Sequence, residues 1–370
     1  MRSLIKSIIA FLNIIVGIGL IVSALTSNVD ATTSPKLIIA TMSFPVWIVL
    51  GIVFLIIDFF VLRKWCIWQS FCIAIGLPLA FTVLPLNIQR GKVPERLQAD
   101  SWTLLTFNVY NFEDITWTYP GGINPTLSYI LRTDADVVVL EEADEMYPLE
   151  VYRMGKVQLD SIKERYPYSL TGHDVVLLSK FPAKAIEMKE FPSQRYKGSG
   201  GQSKIGAFIV DIHGQPTAIF GCHLRSLGLT RRDKDLYEDF TRGEGLTSKK
   251  ELAEEKNDII TKIAKANKAR AESINSLCSF IKDLNCENAI VCGDFNDTPG
   301  SYPLERLQEE GFREVYPLVG NGYMFTYNKD RLLFQIDHVL FRGDYRPWSM
   351  VRGDINTSDH YPLLTTFVRK

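Results

Sequence analysis

Three apolar runs occupy the start of the chain and constrain its fold more than any other feature. Residues 7–25 and 65–89 carry no charge, and residues 37–62 carry only Asp58, near their end. Each run is long enough to cross about 30 Å of hydrocarbon at about 1.5 Å per residue. Three membrane helices are the direct reading. A cleaved signal peptide competes for the first run, with Val22-Ser23-Ala24 as a weak cleavage site. That run exceeds the usual length of roughly 7–15 apolar residues, and two more follow it, which favours an anchor. Pro45, Pro78 and Pro85 are expected to kink or end helices, which neighbouring helices tolerate in a membrane. Asp58, with Arg63 and Lys64 close behind, reads as interfacial rather than as a transport residue.

Loop charge suggests an orientation. Arg2 and Lys6 precede the first run and Arg63-Lys64 fill the tight turn between the second and third, whereas Lys36 alone lies between the first and second. This bias puts the N-terminus inside and, after three crossings, the remainder outside. Arg90, Lys92 and Arg96 oppose it, with less weight because large domains translocate largely regardless of charge. The expectation is a multi-pass protein of the cell (inner) membrane with an extracytoplasmic domain.

Composition changes after Asp100. Of 41 basic and 42 acidic residues, eight and four lie up to that point, leaving 33 and 38 beyond it, a formal charge of −5. The division expected is a membrane anchor over 1–100 and a catalytic domain over 101–370. A weakly acidic domain is not built for unspecific binding of nucleic acid. The six cysteines show neither metal spacing nor a disulfide framework, and Cys222 and Cys292 sit in or beside apparent core strands.

Within the second part, Ala289 to Pro299 reads Ala-Ile-Val-Cys-Gly-Asp-Phe-Asn-Asp-Thr-Pro. A short buried strand ends at Gly293, which lets the backbone turn so that Asp294 and Asn296 emerge together. Their oxygens suit a hard divalent cation and a water to be deprotonated; the competing reading is an Asx turn bonded only to its own backbone. Strands are expected over 102–110, ending near Asn108, and over 136–142, ending in Glu141 and Glu142. Adjacent strand residues face opposite ways, so one of these glutamates looks into a site; Glu142 is taken as that residue and Glu141 as a solvated or capping partner. Helices are expected over 125–132 and 156–165, and strands over 174–179, 185–191, 205–212 and 217–223. His213 belongs to a hairpin turn. His223 and Arg225 follow a strand and could hold a phosphoryl oxygen, although a surface histidine is the blander reading.

Residues 227–284 are charged and helical in pattern, with Ile259, Ile263, Ile274, Leu277 and Ile281 as a stripe against a sheet. Residues 194–201 read as a mobile loop and 230–247 as a lid. A helix is expected over 302–310 and strands over 324–327, 334–341 and 364–368. Asp337 and His338 alternate in the second of these strands, so one faces the site, and Ser358-Asp359-His360 precede the last.

Thr-Phe-Asn-Val, Leu-Glu-Glu, Cys-His-Leu, Gly-Asp-Phe-Asn, Ile-Asp-His-Val-Leu and Ser-Asp-His, in this order, strongly resemble the endonuclease/exonuclease/phosphatase (DNase I-like) superfamily over 102–370, and the apolar part looks like that of its bacterial membrane-anchored members. The resemblance implies an α/β fold, a four-layered α/β sandwich with two mainly antiparallel sheets face to face and helices outside. It implies Mg²⁺-dependent hydrolysis of phosphoesters, with Mn²⁺ as a substitute metal. By motif, Glu142 would be the direct metal ligand, with Asn108 orienting and Asp359 close by. Asp294 and Asn296 would position and deprotonate water, and His223 would hold a phosphoryl oxygen. Asp337 would orient His360, which acts as base or as cationic stabiliser. Two positions depart from the family pattern. Tyr110 stands where some nuclease members place Asp, and Glu141-Glu142 replace a more usual Gln-Glu.

The function expected is a membrane-anchored phosphodiesterase or phosphomonoesterase whose partners are a phosphoester substrate and the lipid bilayer. A phospholipid or head-group substrate is favoured. A membrane-tethered nuclease is the runner-up, and a catalytically silent binding protein is the reading of another class. Oligomeric state is not legible.

Overall fold

The first apolar segment forms a helix over Arg2–Leu25, the second over Phe44–Val61 and the third over Trp65–Val83; all three are long and apolar enough to cross a membrane. A computed structural model describes residues 2–37, 39–88, 90–112, 123–143, 156–188, 201–228, 249–329 and 333–370. The second run breaks in two, because Ser43 separates a short helix, Ile39–Met42, from the long one. Pro45 lies in the first turn of its helix, where its missing N–H costs nothing, Pro78 lies inside the third helix, and Pro85 follows its end. Asp58 is fully buried in the bundle and accepts a hydrogen bond from Asn13 Nδ2 of the first helix at 2.9 Å.

Beyond Asp100 the chain builds two six-stranded sheets. The first contains β1 (Ser101–Asn108), β2 (Val137–Glu141), β3 (Tyr168–Gly172), β4 (Val175–Ser179), β11 (Tyr345–Arg352) and β12 (Leu363–Arg369), in the order β11-β12-β1-β2-β4-β3. The second contains β5 (Ala183–Ala185), β6 (Lys204–Ile212), β7 (Gln215–His223), β8 (Asn288–Asp294), β9 (Arg313–Glu314) and β10 (Asp337–Arg342), in the order β5-β6-β7-β8-β10-β9. In each sheet the central pair is parallel, β1–β2 or β7–β8, and every other pairing is antiparallel.

Strand alternation builds three apolar layers. Leu104, Val139, Val175, Ile219, Ile290 and Val339 meet between the sheets. Their neighbours Leu105, Val138 and Val176 face outward onto the helices Pro125–Thr133 and Lys156–Arg165. On the far side Ala218, Phe220 and Val291 pack with Ile274, Leu277 and Ile281 of the long helix Lys249–Leu284 and with Leu304 of the helix Tyr302–Glu309. The result is a four-layered α/β sandwich following three apolar helices. Burial of these side chains, at about 25 cal/mol per Å² of apolar surface, is the main force that keeps the sheets in register.

Several expectations are corrected. No strand forms over 324–327: Tyr327 makes only single bridges, to Phe334 and to His360. The strand expected from residue 185 is the short β5, and its continuation past residue 188 lies outside the described residues. So do the loop at 194–200 and the lid at 230–247.

Candidate active site

The same alternation decides which polar side chains reach the open end of the sandwich. In β1, Leu104 points between the sheets, so Asn108 does too; in β10, Val339 and Phe341 fix Asp337 inward and leave His338 facing the helices. Register then aligns three strand ends. His223 is paired with Asp294 across β7–β8, and Asp294 with Asp337 across β8–β10. Behind them Gly293 has φ +121°, and a Cβ there would lie 2.3 Å from the Cys222 carbonyl oxygen and 2.6 Å from Glu141 Oε1. No side chain larger than hydrogen fits.

The glutamate pair departs from simple alternation. Glu141 is neither solvated nor a cap. It follows Val137 and Val139 into the inter-sheet layer, is fully buried, and accepts a hydrogen bond from Thr106 Oγ1 at 2.9 Å. Its second oxygen has no hydrogen-bond partner among the described residues, and burial beside Asp337 raises its pKa well above the usual range. Glu142, one residue past β2, has φ +51°, which turns its carboxylate into the cleft. Asn108 Nδ2 lies 3.1 Å from Glu142 Oε1 and 3.2 Å from Asp294 Oδ2, and so ties the two sheets together.

Around Asp294 the contacts are dense. Asn296 donates its backbone N–H to Asp294 Oδ1 at 2.7 Å and its side-chain Nδ2 to Oδ2 at 2.9 Å, so the Asx turn is present and the cleft uses the same groups. Burial lifts the Asp294 pKa to about 6, and the negative charge of Asp337 adds to the lift against the two nearby histidines. His360 donates Nδ1–H to Asp337 Oδ2 at 2.9 Å, and its Nε2 lies 3.7 Å from Asp294 Oδ2. Burial alone would lower its pKa; Asp337 and Asp294 overcome this and raise it to about 10.

His223 is held in the same way by a residue that sequence reasoning missed. Its Nδ1–H donates to Asp174 Oδ2 at 2.7 Å, while Nε2 lies 3.5 Å from Glu142 Oε1. Against the cost of burial, Asp174 raises the His223 pKa to about 9. Asp174 itself is pushed up by burial, and His223 and Lys204 bring it net below its ordinary value. The signal available was an aspartate immediately before a buried strand; what singles it out is contact with the other sheet.

Glu142, His223, Asp294, Asn296, Asp359 and His360 line one cleft of about 240 Å³, together with Tyr110, Tyr327 and Met42. Asp359 Oδ2 lies 3.4 Å from Lys329 Nζ, which stands 4.9 Å from the Tyr110 ring centroid. Arg225 is not among the lining residues; its guanidinium donates to the Gly201 carbonyl at 2.6 Å. His338 holds the turn carrying Asn296 from behind, through Glu314 at 2.7 Å and the Asp297 carbonyl at 2.9 Å, and Asp297 pairs with the buried Arg270 at 3.0 Å.

Residues 280–360, which include Asp294, Asn296, Asp337, Asp359 and His360, match the Endonuclease/Exonuclease/phosphatase family. That match covers the C-terminal part of the sandwich, and the motifs Gly-Asp-Phe-Asn, Ile-Asp-His and Ser-Asp-His lie within it. Residues 6–83 match a domain of unknown function, DUF8431. No curated protein matches the chain. Among solved structures, an endonuclease/exonuclease/phosphatase from Bacteroides vulgatus is 15% identical over 73% of this chain and 99% of its own, with a TM-score of 0.47. The human nocturnin catalytic domain with a bound sulfate anion is 13% identical over 76% and 100%, with a TM-score of 0.48. D. rerio TDP2 complexed with a single-strand DNA product is 15% identical over 72% and 98%, with a TM-score of 0.44.

Members of this superfamily are generally hydrolases of phosphoester bonds and depend on divalent metal. Two groups of side chains here bear on a metal. Ligand atoms of Asp294, Asp337 and His360 lie within 4.8 Å of one another, but His360 is engaged as a cationic donor to Asp337, which leaves it poorly suited to coordinate. Glu142 and Asp359 offer carboxylate oxygens, the donors a hard cation takes, while Asn108 turns Nδ2 toward Glu142 and accepts the Tyr110 N–H at Oδ1, which makes it an orienting residue. The partnerless oxygen of Glu141 and the lifted pKa of Asp294 both mark a shortage of positive charge that such a cation would relieve.

Proposed function

We propose that the protein is a membrane-anchored, Mg²⁺-dependent phosphoester hydrolase, with residues 1–100 as anchor and 101–370 as catalytic domain. One observation carries this reading: Asp294 touches Asn108, Asn296 and His360 at once, in a cleft also lined by Glu142 and His223. A phosphoester needs charge neutralisation, an aligned water and a proton acceptor, and these groups supply each.

In this mechanism Glu142, with Asp359 nearby and Asn108 orienting it, would hold a Mg²⁺, which would neutralise charge on the phosphoryl group. Asp294, with its pKa near 6, is mostly ionised at neutral pH yet basic enough to take a proton from water. Asn296 fixes the carboxylate that receives it. His360, raised to about 10, is cationic and stabilises the pentacovalent state, a charge that supports this role over that of base. Asp337 orients it, and His223, also cationic, holds a phosphoryl oxygen.

A phospholipid or head-group phosphoester fits the anchor and the formal charge of −5 beyond Asp100 better than a nucleic acid does. Loop charge supports an extracytoplasmic catalytic domain, and activity of a reporter fused after Lys370 only in the cytoplasm would reverse that placement. The test of function is hydrolysis by the full chain in nanodiscs of DNA, RNA, phospholipids and sugar phosphates, with Mg²⁺ or with EDTA, for wild type and Asp294→Ala. Turnover of one class that is abolished by EDTA and by the substitution is expected; turnover that survives both would refute this site.

A further inference from the structure

One wall of the cleft does not come from the sandwich. Met42, at the end of the short helix Ile39–Met42 between the first two apolar helices, lines the cleft with Glu142, Asp294 and His360. This connection is fastened to the catalytic layers. Asn267 Nδ2 donates to the Pro35 carbonyl at 3.0 Å, and Ala31 is buried against Ala271 of the long helix. The third apolar helix reaches the same region: a Cβ on Gly300, just past the Asp294 turn, would lie 2.2 Å from Leu79. Connectivity agrees, since the first helix ends, the second begins and the third ends on the catalytic side.

The height of the cleft follows. Met42 is two residues from Phe44, where the second spanning helix begins, so it lies within about 7 Å of that point even along a fully extended chain. A bilayer's polar layer on each face is roughly 5–8 Å deep. The phosphate of a lipid in that leaflet therefore stands level with the cleft, and its tail need not leave the hydrocarbon. The surface beside the anchor is apolar as well. The segment 316–321 is tied to Asn87 by that residue's bonds to the Pro317 and Gly320 carbonyls, and Leu318, Tyr323, Leu86 and Ile88 around it are exposed. The bilayer that holds the three helices is the one partner that covers all of them.

We propose that the connection 26–43 is part of the substrate site, and that the substrate is an amphiphilic phosphoester whose head enters the cleft past Met42 while its tail remains in the bilayer. This rests on the phosphoesterase reading above. A thioether wall contributes nothing to a small soluble phosphate, whereas it continues the apolar surface along which a glycerol or sphingoid backbone would lie.

The test uses the full chain in vesicles containing phosphatidylcholine, phosphatidylethanolamine, phosphatidylglycerol, phosphatidic acid and sphingomyelin, with Mg²⁺. Each lipid is compared with its water-soluble deacylated counterpart and with bis(4-nitrophenyl) phosphate, for wild type, Met42→Lys, Met42→Gln and Met42→Leu. Expected is a preference of at least about tenfold for one lipid over its deacylated form, the scale of about 1.4 kcal/mol of tail and wall contact. Met42→Lys and Met42→Gln should lower lipid turnover at least tenfold more than soluble turnover, and Met42→Leu should restore it. Cleavage of soluble esters without any lipid, or equal losses on both substrates in the two polar variants, overturns the inference and leaves the hydrolase standing. Absence of all hydrolysis by wild type removes the hydrolase reading and this one with it.

Discussion

The first sheet brings Glu142, one residue past its strand, to the cleft and sets Asn108 and Glu141 behind it; the second brings His223 and Asp294, with Asp337 behind them. The first set offers carboxylates suited to a cation and an amide that orients Glu142. The second holds a carboxylate with a pKa near 6 and a histidine near 9, groups suited to moving or holding protons. Neither sheet is a site alone. Asn108 reaches across to Asp294, and His360, from the turn before β12, reaches across to Asp337. Chemistry thus depends on face-to-face packing, and the inter-sheet core is as much a requirement for turnover as any polar residue.

That division can be broken one side at a time. The largest loss is expected from the second sheet: Asp294→Ala, and His360→Ala opposite it, should each lower the rate on the order of 10²–10⁴-fold at saturating Mg²⁺, the usual scale for acid–base groups. If either costs less than about tenfold, the assignment of proton chemistry to that side is wrong. Glu142→Gln should behave differently, raising the Mg²⁺ needed for half-maximal rate on the order of 10–100-fold with partial recovery at high metal. A loss that no Mg²⁺ concentration reverses would remove Glu142 from the cation side.

Asp174 sharpens the comparison because it belongs to the first sheet and serves a histidine of the second. Asp174→Asn should cost about 10–100-fold, the range for outer partners, and should let the His223 pKa fall from about 9, read by NMR titration. An unmoved titration would reduce Asp174 to a packing residue.

The smallest effect concerns His338, which faces away from the cleft. It donates to two acceptors, Glu314 and the Asp297 carbonyl, which only the doubly protonated ring can do. Burial would lower its pKa, but Glu314 holds it above the ordinary value. A raised pKa in the folded state means that its stabilisation is complete below about pH 6.5 and is lost as pH rises through the folded value. The thermal midpoint gap between wild type and His338→Gln in detergent should therefore be widest below about pH 6.5 and narrow as pH rises through the raised folded value. A gap independent of pH would show that the ring is neutral.

Much of this arrangement was legible because strands that end in polar residues announce themselves by period and by turn chemistry. Asn108, His223, Asp294 and Asp337 all follow from the alternation of buried neighbours such as Leu104, Ile219, Ile290 and Val339. What was hidden rests on pairing or backbone angle. β3 and β11 carry Ser169, Thr171 and Pro347, which blur the strand pattern, and register with β4 and β12 makes them strands. Glu142 reaches the cleft because of one left-handed φ, and Glu141 is buried by the parity of β2. Met42 sits in a segment that reads as ordinary membrane sequence, and only the docked connection brings it to the chemistry.

The identical pairing pattern of the two sheets has one further consequence. Laid over each other by their parallel pairs, β1 falls on β7 and β2 on β8, so Asn108 takes the place of His223 and Glu141 that of Asp294. Asp174, one residue before β4, and Asp337, which begins β10, each reach to a histidine carried by the other sheet. The two sheets thus share one order of parallel and antiparallel pairings. Matching strand ends carry unlike side chains, so the difference between the two walls of the cleft comes from residue identity on a shared pairing pattern.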